Sequence, residues 1–344
     1  MSMMRIAVLG AGSLGMISGA MMTKAGHDCT LVDVNEEHVR ALNSAGAKIT
    51  GKYEDLIPVK ASLPQDLSGA FDVVMLQTKQ MHMLGALEGI EKNMGGETVI
   101  VTLQNGIPED KVAEKYGKSR VIGGSVFHGA RYLGPGMSEL TTDFECMHTY
   151  IGELDGSVTP RLLELEAVLS SAGGASVTRD ILSVKWTKLI MNAALSGVSA
   201  ALGCTFGEAS EHDDSMQCMA HICGEGAKVM EKKGLVPIEM EGFLPTVENY
   251  SFSNKSEYAG VGKQLKELIS YSYGEVASML QDIWAGRTVC EIADINGKVA
   301  LEGAKLGIPT PFNEKIVEIV NRILKGELKA EFSNIGYFEF PELS

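Results

Sequence analysis

Residues 5–15 read Arg5-Ile6-Ala7-Val8-Leu9-Gly10-Ala11-Gly12-Ser13-Leu14-Gly15. A short aliphatic run meets a G-x-G-x-x-G, and a helical pattern, SLGMISGAMMTKAGH, follows at once. Three glycines alone are a weak sign, because glycine-rich turns are common. Their context is specific: strand, tight turn, helix, and then a second strand, CTLVDV, ending in Asp33, 18 positions after Gly15. Gly10 permits the tight turn, Gly12 lets the backbone approach a pyrophosphate, and Gly15 lets helix and strand pack closely. The helix N-terminus offers free N–H groups and a positive dipole end to the phosphates. Gly10, Ala11, Gly12, Ser13, Leu14 and Gly15 are therefore the expected dinucleotide cradle.

Asp33 reads the other end of the dinucleotide. A carboxylate at the end of the second strand accepts from a ribose 2′-OH and repels a 2′-phosphate. The next cations, His38 and Arg40, come only after Glu36 and Glu37. This favours NAD(H) over NADP(H) within a general NAD(P)H reading. The competing reading is that Asp33 merely caps the following turn.

Outward from this unit, apolar runs alternate with helical segments. FDVVMLQT, ETVIVTLQN and RVIGGSVF read as strands, with an antiparallel section expected from about 136 to 152. Such alternation implies a parallel, doubly wound sheet. After about residue 180 long helical patterns take over: 183–202, 212–233, 257–285, 291–306 and 311–326, with a loop at Met240–Glu257. The expected organisation is a Rossmann-like α/β domain at 1–179 and an all-α substrate and dimerisation domain at 180–344.

Composition narrows the function classes. The 344 residues are 45% hydrophobic and 22% charged, with a formal net charge of -14. No Lys/Arg-rich run appears, so nucleic acid is not an expected partner. No apolar run approaches the roughly 18 residues of a membrane span, and a strand-like run starts too early to leave room for a signal peptide. Six scattered cysteines form no CxxC pair. Reduced thiols, a cytoplasmic location and no bound metal are the expectation.

Several polar residues stand out beyond the fingerprint. Lys79 follows the third apolar run and Asn105-Gly106 the next, at the carboxyl ends of presumed parallel strands, where open α/β sheets bind ligands. A surface charge and a simple turn are the blander readings. In "WTKLIMNAALSG" (186–197), Lys188, Asn192 and Ser196 recur every four residues on one helix face. A helix edge with a snorkelling lysine is the alternative. Glu291 opens "CEIADINGKVALEGA", where a first-turn carboxylate is ordinarily a dipole-favoured surface group.

Taken together, these residues resemble the ketopantoate reductase (2-dehydropantoate 2-reductase) family. The match runs from GAGSLG through "TK" at Lys79, "QNG" at Asn105 and "W-x-K-L-x-x-N" at Lys188 to "SMLQDI-x-AGR…EI-x-x-ING" from Ser278 to Gly297. It spans nearly the whole chain in order, and its last block is the most specific. The resemblance implies a Rossmann domain followed by an all-α domain like the C-terminal domain of 6-phosphogluconate dehydrogenase-like proteins, with the active site in the cleft between. It implies NADPH-dependent reduction of a 2-keto acid to a 2-hydroxy acid, 2-dehydropantoate to pantoate, in pantothenate biosynthesis. The partner it implies is a small molecule; a homodimer is expected separately, from apolar stripes on the helical second domain.

Carried onto this chain, Lys188 looks like the catalytic lysine and Glu291 the acidic partner of the site, reaching cofactor as well. Asn192, Ser196 and Ser278 look like substrate contacts. Asn105 and Lys79 look like residues near the nicotinamide, Asn105 also catalytic, and Ala130 like a backbone contact to the cofactor. The chemistry requires these types. Hydride attack on C2 puts negative charge on the carbonyl oxygen, which an ammonium can stabilise and protonate.

Three departures from the family pattern bear on specificity. Asp33 replaces a cationic residue, Ser196 replaces a second asparagine, and Phe206 replaces a further substrate-side asparagine. These favour a more apolar pocket. They keep open an NAD-dependent D-2-hydroxyacid dehydrogenase acting on branched or aromatic substrates. A β-hydroxyacid dehydrogenase would place asparagine three after the lysine rather than four, and a non-catalytic dinucleotide sensor would not need Lys188 and Glu291 together.

Overall fold

The computed structural model describes residues 4–344. The chain divides into two compact units, Met1–Leu182 and Ser183–Ser344.

The first unit holds strands β1 (Arg5–Leu9), β2 (Asp28–Val32), β3 (Ala47–Gly51), β4 (Asp55–Ile57), β5 (Lys60–Ser62), β6 (Phe71–Leu76), β7 (Met94–Thr102), β8 (Val121–Phe127), β9 (Ala130–Gly134), β10 (Met137–Leu140), β11 (His148–Glu153) and β12 (Gly174–Val177). Its helices are α1 (Ser13–Lys24), α2 (Glu36–Ala45), α3 (Met83–Gly89), α4 (Glu109–Tyr116) and α5 (Pro160–Ser170). Eight strands form one sheet in the order β12-β11-β8-β7-β6-β1-β2-β5. Every pair is parallel except β8 with β11. From β1 the chain steps outward to β2 and β5, then returns to the other side of β1 with β6. The order therefore reverses between β1 and β6, and their carboxyl ends face the crevice where such sheets bind ligands.

Burial explains why these segments are strands. Ile6, Ala7, Val8 and Leu9 are all buried, as a central parallel strand covered on both faces requires. Helix α1 lies close enough to the sheet that a Cβ on Gly19 would overlap the Leu31 side chain. A second sheet, β4-β3-β10-β9, was not foreseen from sequence. In it β3 and β10 are parallel, and the two outer pairs are antiparallel. The expected antiparallel section at 136–152 is thus divided: β10 belongs to this small sheet, and β11 to the main one. Tertiary pairing, rather than local turn chemistry, separates them.

The second unit is helical: α6 (Ile181–Leu202), whose first turn contains the division between units, α7 (Phe206–Ser210), α8 (Asp213–Lys232), α9 (Val247–Tyr250), α10 (Lys255–Ser270), α11 (Ser278–Trp284), α12 (Asn296–Leu306) and α13 (Pro311–Leu324). The expected helix 257–285 is interrupted between Ser270 and Ser278. There the carbonyls of Tyr273 and Glu275 accept from Gly207 and Phe206 N–H at 2.8 and 3.1 Å, which a continuous helix would forbid. The expected helix at 291–306 begins as a 3-10 turn, Glu291–Ala293, and becomes α-helical at Asn296. Among the described residues no helix is long and apolar enough to cross a membrane.

Helix α6 is tightly held. A Cβ on Gly226 of α8 would stand 2.7 Å from Ile190, so the two helices approach to backbone range. Behind it the buried Glu225 carboxylate accepts from Phe312 and Asn313 N–H, at 2.8 and 3.0 Å, satisfying the start of α13. Burial raises its pKa to about 7. Asn313 Oδ1 accepts from Asn296, whose amide also donates to Ala193 O at 3.0 Å. This buried chain of amides docks the start of α12 on α6, and Gly197 leaves it the space.

Candidate active site

The Gly10–Gly15 turn has the geometry its sequence implies. Gly10 has φ +98°, a left-handed value that favours glycine. Its N–H and that of Ala11 converge on Val32 O, at 2.9 and 3.2 Å. A Cβ on Gly10 would stand 2.5 Å from Thr78 N, and one on Gly15 would overlap Gly10 O. Gly15 is therefore needed as much for the loop's own carbonyl as for the strand. Gly12 is different: nothing lies within 4 Å of a Cβ there. It is the open side of the cradle, and no side chain caps the helix start behind it. The first-turn N–H groups of α1, at Ser13, Leu14 and Gly15, are left for an anion.

Asp33 immediately follows β2 and is partly exposed. Its Oδ1 accepts from Asn35 N–H at 3.0 Å, an Asx-type turn, and Asn35 in turn caps α2 by accepting from His38 N–H. A carboxylate has about four acceptor sites, so this turn and a ribose hydroxyl are compatible.

His38 is no surface cation. It is 1% exposed, with Nε2 at 2.7 Å from Ala11 O and Nδ1 accepting from Gly136 N–H at 2.9 Å. A ring that accepts at Nδ1 and meets a carbonyl at Nε2 is the neutral Nε2–H tautomer. One imidazole thereby ties the Gly-rich loop, the start of α2 and the β9–β10 turn together. Tyr132 packs edge-on to it, ring centroids 5.5 Å apart. Sequence alone gave no signal for this brace, because Gly136 lies 98 residues away.

Apart from Glu291, which belongs to the helical unit, the other expected cofactor contacts share one edge of the sheet. Lys79 stands three past Leu76, Asn105 three past Thr102 and Ala130 three past Phe127, the carboxyl ends of the adjacent strands β6, β7 and β8. The Gln80 amide donates to Asn105 O at 2.5 Å and joins two of these loops. Leu103 N–H donates to Leu76 O at 3.1 Å just below. Gln80 is a site-shaping residue that sequence reading missed.

In the second unit Lys188, Asn192 and Ser196 are partly exposed, while Leu189, Ile190, Ala193, Ala194 and Leu195 around them are buried. They form a polar stripe on a helix whose only other partly exposed residues are Leu182 and Met191. Burial, with Lys185 beside it, pulls the Lys188 pKa down to about 7, against the opposing charge of Glu241. Glu291 is buried at the start of the segment that Asn296 docks onto α6. Ser278 is exposed at the first position of α11. Phe206 is 8% exposed and opens α7 behind a Thr205–Glu208 capping box. It fills core in this unit.

A family model described as ketopantoate reductase PanE/ApbA matches residues 6–156, and the model of its C-terminal part matches 180–324. The chain belongs to the ketopantoate reductase family. Among relatives of this reductase family, the 2-dehydropantoate 2-reductase of Pyrococcus horikoshii is 31% identical over 320 residues, covering 90% of this chain and 94% of its own. That of Streptococcus pyogenes serotype M1 is 27% identical over 323 residues, 92% of this chain and 97% of its own. Of solved structures, the 2-dehydropantoate 2-reductase from Geobacter metallireducens is 25% identical with a TM-score of 0.77, covering 93% of this chain and 99% of its own. D-mandelate dehydrogenase, solved with NADH and anilino(oxo)acetate, shares the fold at 22% identity and a TM-score of 0.80, over 94% and 99% of the two chains. The chain is thus an oxidoreductase of a family that uses NAD(P)H, with a Rossmann-like unit followed by a helical one.

Proposed function

We propose that this reductase converts 2-dehydropantoate to pantoate, with NAD(H) preferred to NADP(H). The observation that carries the reading is the Lys188–Asn192–Ser196 stripe: the one stretch of α6 where polar groups reach the surface has the family's lysine at its head. NADH, when bound, supplies the hydride that reduces the C2 carbonyl. The residues of the chain do the rest.

The N–H groups of the Gly10–Gly15 cradle hold the pyrophosphate, and Asp33 accepts from the adenosine ribose. The acidic Asp33, Glu36 and Glu37, with His38 buried and neutral, make that end unwelcoming to a 2′-phosphate. Lys79, Asn105 and the Ala130 backbone line the carboxyl edge of the sheet beside the nicotinamide. Lys188 stabilises the developing alkoxide and gives it a proton. A pKa pulled to about 7 suits that transfer at neutral pH. Asn192, Ser196 and Ser278 orient the substrate, and Glu291 orients the lysine or a substrate hydroxyl. Serine reaches less far than asparagine, so Ser196 leaves more room than the family pattern has. A bulkier 2-keto acid is the second reading.

The test is initial-rate reduction of 2-dehydropantoate, then of branched and aromatic 2-keto acids, with NADH and with NADPH. A tenfold or greater preference for NADPH would overturn the reading of Asp33. Faster turnover of an aromatic 2-keto acid would replace the substrate assignment. The same reading includes a homodimer through the helical unit, supported by exposed Tyr271, Trp284, Val289 and Leu301. Light scattering that gives a monomer mass at micromolar concentration would remove it.

A further inference from the structure

The segment after α8 is strapped to α6 beside the lysine. The chain turns at Gly234, φ +72°, and runs without regular structure to Met240. Val236 N–H donates to Ser183 Oγ and Ile238 N–H to Thr187 Oγ1, each at 3.1 Å. Both hydroxyl residues are fully buried. Two residues of segment therefore advance alongside four residues of helix. This matches about 6.6 Å of extended chain against about 6 Å of α-helix. Continued at that pace, residue 240 comes level with the turn of α6 that follows Lys188.

There the segment ends in a tight turn. Met240 and Phe243 exchange hydrogen bonds of 2.9 and 2.8 Å, and Phe243 is buried as its anchor. Glu241 and Gly242 between them have φ of 52° and 77°. Positive φ at both central positions is the type I′ pattern, which favours Asn-Gly or Gly-Gly. Glu241 is the only non-glycine with positive φ among the described residues. A long acidic side chain kept in a conformation that L-residues rarely adopt points to a use for that side chain.

We propose that Glu241 is a positioning residue for the reaction, its carboxylate held at the tip of the 240–243 turn to orient the Lys188 ammonium. The inference rests on the assignment of Lys188 as proton donor. Lys185 acts on Lys188 from the same helix, in the opposite sense to Glu241. Glu275, from the break between α10 and α11, is raised mainly by burial and then by the Glu241 charge. Glu241 therefore acts on both an ammonium and a second carboxylate, and its negative charge keeps Lys188 protonated to higher pH than burial alone would allow.

The experiment compares Glu241→Gln, Glu241→Asp and Glu241→Gly with the unaltered enzyme, by pH profiles of kcat/KM for 2-keto acid reduction. The glycine variant relieves the backbone while removing the charge, so it separates the two. In Glu241→Gln and Glu241→Gly the basic limb should move down by on the order of half a pH unit, so that the rate at pH 8 falls about threefold. Rates near pH 6 and the KM for NADH should be unchanged, and Glu241→Asp should keep the original profile. A basic limb that stays in place in both Glu241→Gln and Glu241→Gly refutes the proposal. So does a shift confined to one of those two. Lys188→Ala, assayed alongside, isolates the underlying assignment: retained turnover in that variant removes Lys188 itself, whatever the Glu241 profiles show.

Discussion

Replacing His38 by leucine tests whether the dinucleotide loop is braced from behind. The ring is 1% exposed, and its two nitrogens serve Ala11 O at 2.7 Å and Gly136 N–H at 2.9 Å. Leucine fills a similar volume and serves neither. Each backbone group that loses its partner in a dry site costs about 1–3 kcal/mol, so the two together cost about 2–6 kcal/mol. Leucine burial recovers about 1–2 kcal/mol of this, leaving a net loss near 3 kcal/mol. For a unit of 182 residues, that lowers Tm by about 6–12 °C. His38→Gln retains a donor that can reach Ala11 O and should lose roughly half as much. The assay is thermal unfolding of each variant with and without NADH, together with NADH affinity by fluorescence. Affinity should fall at least tenfold in His38→Leu, because the Ala11 carbonyl no longer fixes the direction of the neighbouring N–H groups. A loss below ~1 kcal/mol, or a full loss of stability with NADH affinity intact, would refute the brace.

Three further outcomes are expected. With the Lys188 pKa near 7, reduction needs the ammonium, so kcat/KM for reduction should fall about tenfold per pH unit above that value and the reverse reaction should gain. A reduction rate flat to pH 9 contradicts it. Asp33→Asn removes the charge that repels a 2′-phosphate and should narrow the NADH-over-NADPH preference by about tenfold; an unchanged ratio means that Asp33 serves its turn alone. Gly10→Ala puts a Cβ 2.5 Å from Thr78 N at φ +98°. That should cost about 2–4 kcal/mol in unfolding free energy and weaken NADH binding. Wild-type stability and affinity would show that the loop is looser than its geometry.

What could be read in the sequence followed from how local its cause was. The GAGSLG turn is legible because strand, turn and helix are contiguous, and the Lys188 stripe because helical spacing alone aligns i, i+4 and i+8. Failures came where a distant partner decided. His38 reads as a cation of the cofactor end, yet a glycine 98 residues on takes its Nδ1. Residues 257–285 have helical periodicity throughout, but α7 draws Tyr273 and Glu275 out of it. Glu241 sits in the stretch 240–257 read as a loop, which also holds α9 and the start of α10, and no pattern announces a type I′ turn whose first central residue is glutamate. The partial burial of Lys188 is likewise a tertiary fact, invisible in "WTKLIMNAALSG".

The small sheet sets the order of events in synthesis. Its strand β3 pairs in parallel with β10, whose partner residues leave the ribosome nearly ninety positions later: Lys48 meets Met137. The hairpin β3–β4 forms early but carries an open edge until then. Parallel, long-range closure is slow, and the Gly136 contact to His38 arrives with it. A nascent chain stopped before residue 136 thus has the glycine turn in its sequence but not the brace behind it. Cofactor affinity should appear in truncated chains only once β10 has emerged, so the ability to bind a dinucleotide is acquired late and in one step.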